Sequence, residues 1–314
     1  MSAPLTLGNS GIEVSPLALG GNVFGWTADE KQSFAVLDAY AAGGGTFVDT
    51  ADSYSAWVEG HRGGESETVL GDWLASRGNR EDLVIATKAA RHPEHLGLAA
   101  GTLRAAAEAS LRRLRIERID LFYTHFDDPD VPVEEIISTL DELVRAGKVR
   151  AVAASNISPE RLQESLDFSD RAGMARYVAL QAHYSLVSRD TYEGGLQSVA
   201  ERGGLTTIPY FGLAAGFLTG KYRPGRQVDS ARAGGAAKHL ETERGRRVLA
   251  ELDKVAEAHG AEIASVALAW LAARPTVGPL LASARVPEQL PALFAATELR
   301  LTEEELAGLT AASD

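Results

Sequence analysis

Short apolar runs alternate with longer stretches of helical period along most of this chain. The runs are LALG (17–20), TFVD (46–49), LVIATK (83–88), IDLFYTH (119–125), VRAVAASN (149–156), YVALQ (177–181), LTTIPY (205–210) and VGPLLAS (277–283). Runs that are apolar on both faces read as strands of a parallel sheet covered by helices. The helical stretches between them are DEKQSFAVLDAYAAG, ESETVLGDWLASRG, GTLRAAAEASLRRL, VPVEEIISTLDELVRAG, SPERLQESLDFSDRAG and RDTYEGGLQSVAERGG, then ETERGRRVLAELDKVAEAHG and EIASVALAWLAARP before the last strand. Several close on Gly, as helix C-termini do, and Ser158 before Pro159 makes an N-cap and N1 pair. Ahead of them all, LTLGNSGIEV predicts a β-hairpin turning near Asn9, Ser10 and Gly11.

Eight βα units in succession predict a closed (β/α)8 TIM barrel with an N-terminal β-hairpin, residues 1–314 forming a single domain. Two long loops, SAWVEGHRGG after Tyr54 and KYRPGRQVDSARAGGAAKH after the seventh strand, leave the C-terminal face, where a barrel builds its site.

That periodic reading draws its chemistry from the strand ends. Asp49 closes the second strand, Lys88 the third, His125 the fourth, Ser155 and Asn156 the fifth, Gln181 the sixth and Tyr210 the seventh, while Ser283 and Arg285 stand at or just past the eighth. Each alone has a plain structural explanation as a cap, a solvated end or a plug. A barrel, however, brings all of them to one mouth. Tyr54 lies five positions beyond Asp49 in the loop that leaves this mouth. A phenol of ordinary pKa near 10 is a reluctant proton donor. An ammonium about 4 Å away favours the phenolate by roughly 4 kcal/mol at an effective dielectric of about 20, or about three pK units before desolvation is subtracted. Lys88 is the candidate ammonium, Asp49 the carboxylate that keeps it charged and fixed, and His125 the group that orients a carbonyl oxygen or shares in proton transfer.

These four protonate a carbonyl but supply no electrons, so a hydride source is required, and a nicotinamide is one. Ser155, Asn156 and Gln181 can hydrogen-bond a carboxamide, Tyr210 can stack on a flat ring, and Arg285 can hold phosphate. No GxGxxG follows a strand, so a Rossmann mode is unsupported, and GFLTGKY fails the Walker spacing.

Composition narrows the partners. Forty-three acidic against 31 basic residues give a net charge of −12, which repels a nucleic-acid backbone. The absence of cysteine excludes disulfides, thiolate metal sites and cysteine nucleophiles. The start MSAPLTLGNSG has neither a basic leader nor an apolar core, and no apolar run is of membrane-spanning length, so the expectation is a cytoplasmic protein that binds no membrane. A metal-dependent hydrolase using Asp49, Asp52, His125, Asp127 and Asp128 lacks the clustered imidazole ligands such sites need. His92 and His95 of HPEH read as surface residues of a loop, leaving the metal ligands at none. A Schiff-base aldolase using Lys88 as nucleophile is a further alternative.

With these residues in place, the chain resembles the aldo-keto reductase superfamily, and within it the bacterial members related to potassium-channel β subunits. The matching text is LALGGNVFGWTADE, TFVDTADSY, GGESETVLGDWL, LVIATK, EASLRRLRIERIDLFYTHFDD, VRAVAASNIS, QAHYSL, GFLTGKY and VALAWLAARP, in the family's order and nearly end to end. The resemblance implies a barrel binding NADP(H), with NAD(H) as the alternative, and a tetrad of Asp49, Tyr54, Lys88 and His125. It implies that Ser155, Asn156 and Gln181 hold the nicotinamide amide, that Tyr210 stacks on the ring, and that Ser283, Arg285 and Gln289 face the adenosine phosphate. Relatives commonly read YSPLGGG where this chain has YFGLAAG, which puts Phe211, Gly212 and Leu213 at the pyrophosphate with looser contacts. Ala292 and Leu293 replace an acidic residue and an Asn, removing two adenine contacts. Trp26 and Trp57 fall where such enzymes shape the substrate pocket. The function implied is reduction of a small aldehyde or ketone, or the reverse reaction. The alternative is a dinucleotide-binding sensor subunit with little turnover.

Overall fold

The computed structural model describes residues 3–225, 228, 231 and 233–314. The N-terminal hairpin pairs β1 (Leu5–Thr6) with β2 (Glu13–Val14). Barrel strands follow as β3 (Leu17–Gly20), β4 (Phe47–Asp49) and β5 (Val84–Ala89). A second hairpin, β6 (Arg91–His92) and β7 (His95–Leu96), interrupts the series. The barrel resumes with β8 (Ile119–Thr124), β9 (Val149–Ser155), β10 (Tyr177–His183), β11 (Thr206–Tyr210) and β12 (Leu280–Ala282).

The eight barrel strands are parallel, in the order β11-β10-β9-β8-β5-β4-β3-β12. The ring closes where the Thr207 N–H donates to the Thr276 carbonyl at 2.8 Å and the Gly278 N–H to the Thr207 carbonyl at 2.9 Å. The expected (β/α)8 TIM barrel with its N-terminal hairpin is the observed fold.

Helices α1 (Glu30–Ala42), α2 (Glu65–Arg77), α3 (Ala100–Leu114), α4 (Val133–Arg145), α5 (Pro159–Ala172) and α6 (Gly195–Gly203) follow successive strands. Their starts obey the expected capping chemistry. Asp29 and Gln32 exchange side-chain bonds with each other's backbone N–H at the start of α1. Ser158 accepts the Arg161 N–H at the start of α5. After β11 come α7 (Ala233–Glu241), α8 (Glu243–His259) and α9 (Ile263–Ala272), and after β12, α10 (Leu290–Glu298) and α11 (Glu303–Ala312).

Three elements differ from expectation. Helix α6 begins only at Gly195, because Arg189 is turned to Glu193, Ser313 and Asp314, and Gly194 takes a φ of 97° that breaks the helix. The loop expected to run to His239 becomes α7 at Ala233, while Arg226, Gln227, Asp229, Ser230 and Arg232 lie outside the described residues. HPEH forms the turn of the second hairpin, and His92 is buried rather than at the surface, its Nδ1 accepting the Glu94 N–H.

Two apolar clusters share the core. One lies between the sheet and the surrounding helices. The other fills the barrel, with Ala18, Phe47, Ala86, Leu121, Tyr123, Ala153, Ala179 and Ile208 packed above Leu7, Ile12 and Val14 of the N-terminal hairpin, which plugs the base. Side chains two residues apart on a strand share a face. The residues two positions beyond this filling therefore point into the open end of the same barrel: Gly20, Asp49, Lys88, His125, Ser155, Gln181 and Tyr210. Among the described residues, no helix is long and apolar enough to cross a membrane.

Candidate active site

Lys88 is fully buried and spends its ammonium on three acceptors. These are Asp49 Oδ2 at 2.6 Å, the Thr50 carbonyl at 2.7 Å and the Tyr54 hydroxyl at 3.0 Å. The chain following β4 is tied across to β5, the Thr50 N–H donating to the Ala86 carbonyl at 2.9 Å and the Asp52 N–H to the Lys88 carbonyl at 3.1 Å. Those bonds bring Tyr54 back over the strand end, and Ser55, at a φ of 72°, turns the loop away again. The other Asp49 oxygen accepts from Gln181 Nε2 at 3.0 Å, so the carboxylate is fixed from two strands.

Burial disfavours the charge on Lys88, but the Asp49 carboxylate and then Tyr54 outweigh it and raise its pKa. Lys88 is therefore an ammonium, with no lone pair to form a Schiff base. Burial, followed by the positive charges of Lys88 and Arg91, holds His125 well below its usual pKa, so its imidazole is neutral. Its ring lies 6.1 Å from that of Tyr54, centroid to centroid, and its Nδ1 has no protein partner among the described residues. A second phenol, Tyr123, lies 5.6 Å from the ammonium, measured to its ring. Burial and the Asp49 charge push its pKa well above the usual value, which keeps it protonated. Of the two phenols, Tyr54 is the one that both accepts from Lys88 and stands on the cavity wall.

That cavity, about 510 Å³, is lined by Asp49, Tyr54, Trp57, His125, Ser155, Asn156, Gln181, Tyr210, Phe211 and Ser283 among others. A narrower arm of about 150 Å³ continues from it along Phe211, Gly212, Leu213, Ser283, Arg285 and Gln289. A larger groove of about 960 Å³ opens at the opposite end of the barrel, lined by Glu13, Arg80, Glu81, Asp82, Arg118 and Arg150. None of the strand-end groups reaches it, and its charges are in part neutralised locally, as by Arg80 on Asp120.

The sequence candidates are thus brought together, with refinements of role. Asn156, at a φ of 49°, which Asn tolerates better than most residues, spends its amide internally. It donates to the His125 carbonyl at 2.8 Å and Ser155 Oγ at 3.0 Å, and accepts the Tyr210 hydroxyl at 2.7 Å. Tyr210 is fixed further by stacking on His183, 5.3 Å and 16° apart. Ser155 and Gln181 put a hydroxyl and an amide side by side on this wall, a donor and an acceptor that complement a carboxamide. Ser283 donates to Asn22 Oδ1 at 2.8 Å, and Gln289 accepts the Arg285 backbone N–H at 2.7 Å, which shapes the arm. Trp26 does not line the cavity; it stands behind Trp57, edge to face at 5.3 Å and 86°. Leu293 is packed in the core and contributes no polar group to the arm.

Four residues escaped the sequence reading. Asn22 lies two positions past Gly20, in the same inward register. Arg91 and Phe126 follow the ends of two neighbouring strands, β5 and β8, and stack on the rim, 4.5 Å from guanidinium to ring. Lys221, within GFLTGKY, lines the arm. Neither Lys221 nor Arg285 has a carboxylate partner among the described residues. A tyrosine ring, a donor and acceptor that complement a carboxamide, and two cations with no carboxylate partner among the described residues line two adjoining cavities, and together they fit a nicotinamide dinucleotide.

The other readings lose their geometry. Asp127 is bound by Arg161 at 3.0 Å and Asp128 accepts the Leu98 N–H at 2.9 Å, so neither joins Asp49 and His125. Among the described residues, no group of three or more histidine, aspartate or glutamate side chains is arranged to hold a metal.

Comparison with known proteins agrees with this geometry. The model of the aldo/keto reductase family matches residues 16–314. A norsolorinic acid reductase (stcV) of Emericella nidulans is 33% identical, the alignment covering 95% of this chain and 78% of the relative. Protein tas of Escherichia coli is 30% identical, covering 96% and 95%. An aryl-alcohol dehydrogenase [NADP(+)] of Phanerodontia chrysosporium is 30% identical, covering 94% and 82%. A closed parallel barrel carrying an Asp–Lys–Tyr cluster at its mouth, matched over nearly its whole length, places this chain in the aldo/keto reductase family, as an oxidoreductase acting on carbonyl compounds.

Proposed function

We propose that this protein catalyses the reversible, NADP(H)-dependent reduction of an aldehyde or ketone, residues 1–314 acting as one barrel domain. The observation that carries the reading is the Lys88 ammonium, 3.0 Å from the Tyr54 hydroxyl and 2.6 Å from Asp49, beside a cavity of about 510 Å³ that Tyr54 and Asp49 line.

A bound nicotinamide would supply the hydride. Ser155 and Gln181 would hold its amide and Tyr210 its ring, while Phe211, Gly212, Leu213, Ser283, Arg285 and Gln289 would line its phosphates and adenosine. Tyr54 hands its hydroxyl proton to the carbonyl oxygen as negative charge develops there. Lys88 lowers the cost of the phenolate left behind, because an ammonium in contact favours the charged form. Asp49 keeps that ammonium protonated and in place. Neutral His125 presents a ring nitrogen to the same oxygen and orients it. Trp57 borders the substrate, with Trp26 fixing its ring. The phosphoester on the adenosine ribose is the feature that Arg285 and Lys221 would distinguish, which favours NADP(H) over NAD(H).

The test is consumption of NADPH and of NADH, in parallel, over a panel of aliphatic, aromatic and sugar aldehydes and ketones. Consumption faster with NADPH supports the reading. Quenching of cofactor fluorescence without consumption of either cofactor refutes it.

A further inference from the structure

Large apolar side chains are exposed at five described positions: Trp57, Leu96, Phe126, Phe211 and Val286. Three of them, Trp57, Phe126 and Phe211, line the same cavity. An apolar concentration of this kind at the rim of a polar site marks a surface that a ligand covers. Tyr54 lies edge-on to Trp57, ring centroids 6.2 Å apart, and His125 lies 5.2 Å from Phe126, so this rim begins at the proton donor itself.

Set in the rim is the charge of Arg91. Among the described residues, Asp49 and Arg91 are the charged side chains on the cavity wall, and Asp49 is already bound by Lys88 and Gln181. Arg91 is exposed, lies 4.5 Å over the Phe126 ring and has no acidic partner among the described residues. It follows β5 at Ala90, whose φ of 106° swings the chain out of the strand and into the second hairpin. Arg91 lines the wide chamber beside His125 and not the arm that holds Lys221 and Arg285. Its charge faces the place of the carbonyl compound rather than of the dinucleotide phosphates. The field of Arg91 reaches the reacting atoms, since it helps, after burial and Lys88, to hold the His125 imidazole neutral. A guanidinium laid on an aromatic face keeps its outer N–H groups free for a carboxylate.

We infer that the preferred substrates are flat aryl aldehydes or ketones carrying an anionic substituent, with the ring between Trp57 and Phe126 and the anion on Arg91. The inference rests on the carbonyl-reduction reading above and adds to it a substrate class and a specificity-determining residue.

The probes are 3- and 4-formylbenzoate, their methyl esters as neutral counterparts, and an aliphatic aldehyde, each with NADPH. In the unaltered protein, kcat/KM for at least one formylbenzoate exceeds that for its ester by about three- to tenfold at low salt, mainly through KM, and the ratio shrinks as salt is added. Arg91→Gln brings the ratio to about one, Arg91→Lys keeps part of it, and Arg91→Glu inverts it. Equal use of acid and ester by the unaltered protein, or a ratio unmoved in folded Arg91→Glu, overturns the inference and leaves carbonyl reduction standing. Failure to consume NADPH with every aldehyde overturns both.

Discussion

Replacing Lys88 by Met removes the charge at the centre of the site while roughly keeping the volume of the side chain. The ammonium lies 3.0 Å from the Tyr54 hydroxyl, a separation at which it favours a phenolate by about 5 kcal/mol at an effective dielectric of about 20. Asp49, bonded to the same nitrogen, offsets part of that, leaving a net preference of roughly 2 to 3 kcal/mol. In Lys88→Met, Asp49 either stays ionised, so that the larger figure is lost, or takes up a proton, so that the smaller one is. Either way kcat/KM falls at least about thirtyfold. The fold suffers as well, because Asp49 is only 1% exposed and breaking such a pair costs roughly 3 to 5 kcal/mol.

The double variant Lys88→Met/Asp49→Asn separates the two effects. Its thermal midpoint returns toward that of the unaltered protein, since no buried charge is left alone, yet its turnover stays low. The assay is loss of NADPH absorbance with a good aldehyde, beside a thermal melt of each variant. A folded Lys88→Met protein turning over within about threefold of the original would refute the assignment of Lys88.

Two further predictions concern titration. Asp52 is fully buried, neither of its carboxyl oxygens makes a hydrogen bond of good geometry, and burial followed by the Glu67 charge raises its pKa well above normal. Its folded form holds a proton that the unfolded chain releases above pH ~4, so it costs stability increasingly as pH rises through that range toward the folded pKa. Asp52→Asn should therefore raise the melting temperature at neutral pH by a few degrees; an unchanged or lowered midpoint would contradict this. His125 has a depressed folded pKa, so the unfolded chain takes up a proton below about pH 6.5 that the folded protein refuses, and stability falls with a slope of up to ~1.4 kcal/mol per pH unit from this group. His125→Gln should flatten the loss of stability between pH 6.5 and 5 in denaturant titrations; an unchanged slope would mean that the imidazole is not held neutral.

How much of this was legible in the sequence follows from period. Strands apolar on both faces and helices with caps and terminal glycines announce a barrel. The period of two then carries the register from Phe47 to Asp49, from Ala86 to Lys88 and from Ala179 to Gln181, so the polar strand ends had to converge. What period does not carry is the path of the chain once it leaves a strand. Arg91 and Phe126 meet only because Ala90 takes a positive φ and starts a hairpin that no apolar alternation signals. Trp26 falls behind Trp57 rather than beside it for the same reason: two loops decide it, not two strands. Asn156 carries its amide where expected, but its bonds to Tyr210 and the His125 carbonyl make it a brace of the wall. Helix α11 did leave a signal, the Thr302 and Glu305 capping box, which lies beyond the last strand and outside the alternating pattern.

The most direct test of the account is Tyr54→Phe, read in two ways on the same preparation. NADPH affinity, from quenching of protein fluorescence, should stay within about twofold, while kcat/KM for carbonyl reduction should fall by about a thousandfold or more, because one hydroxyl has been removed and little else disturbed. Near-full turnover in that variant would contradict the assignment of Tyr54 as the proton donor.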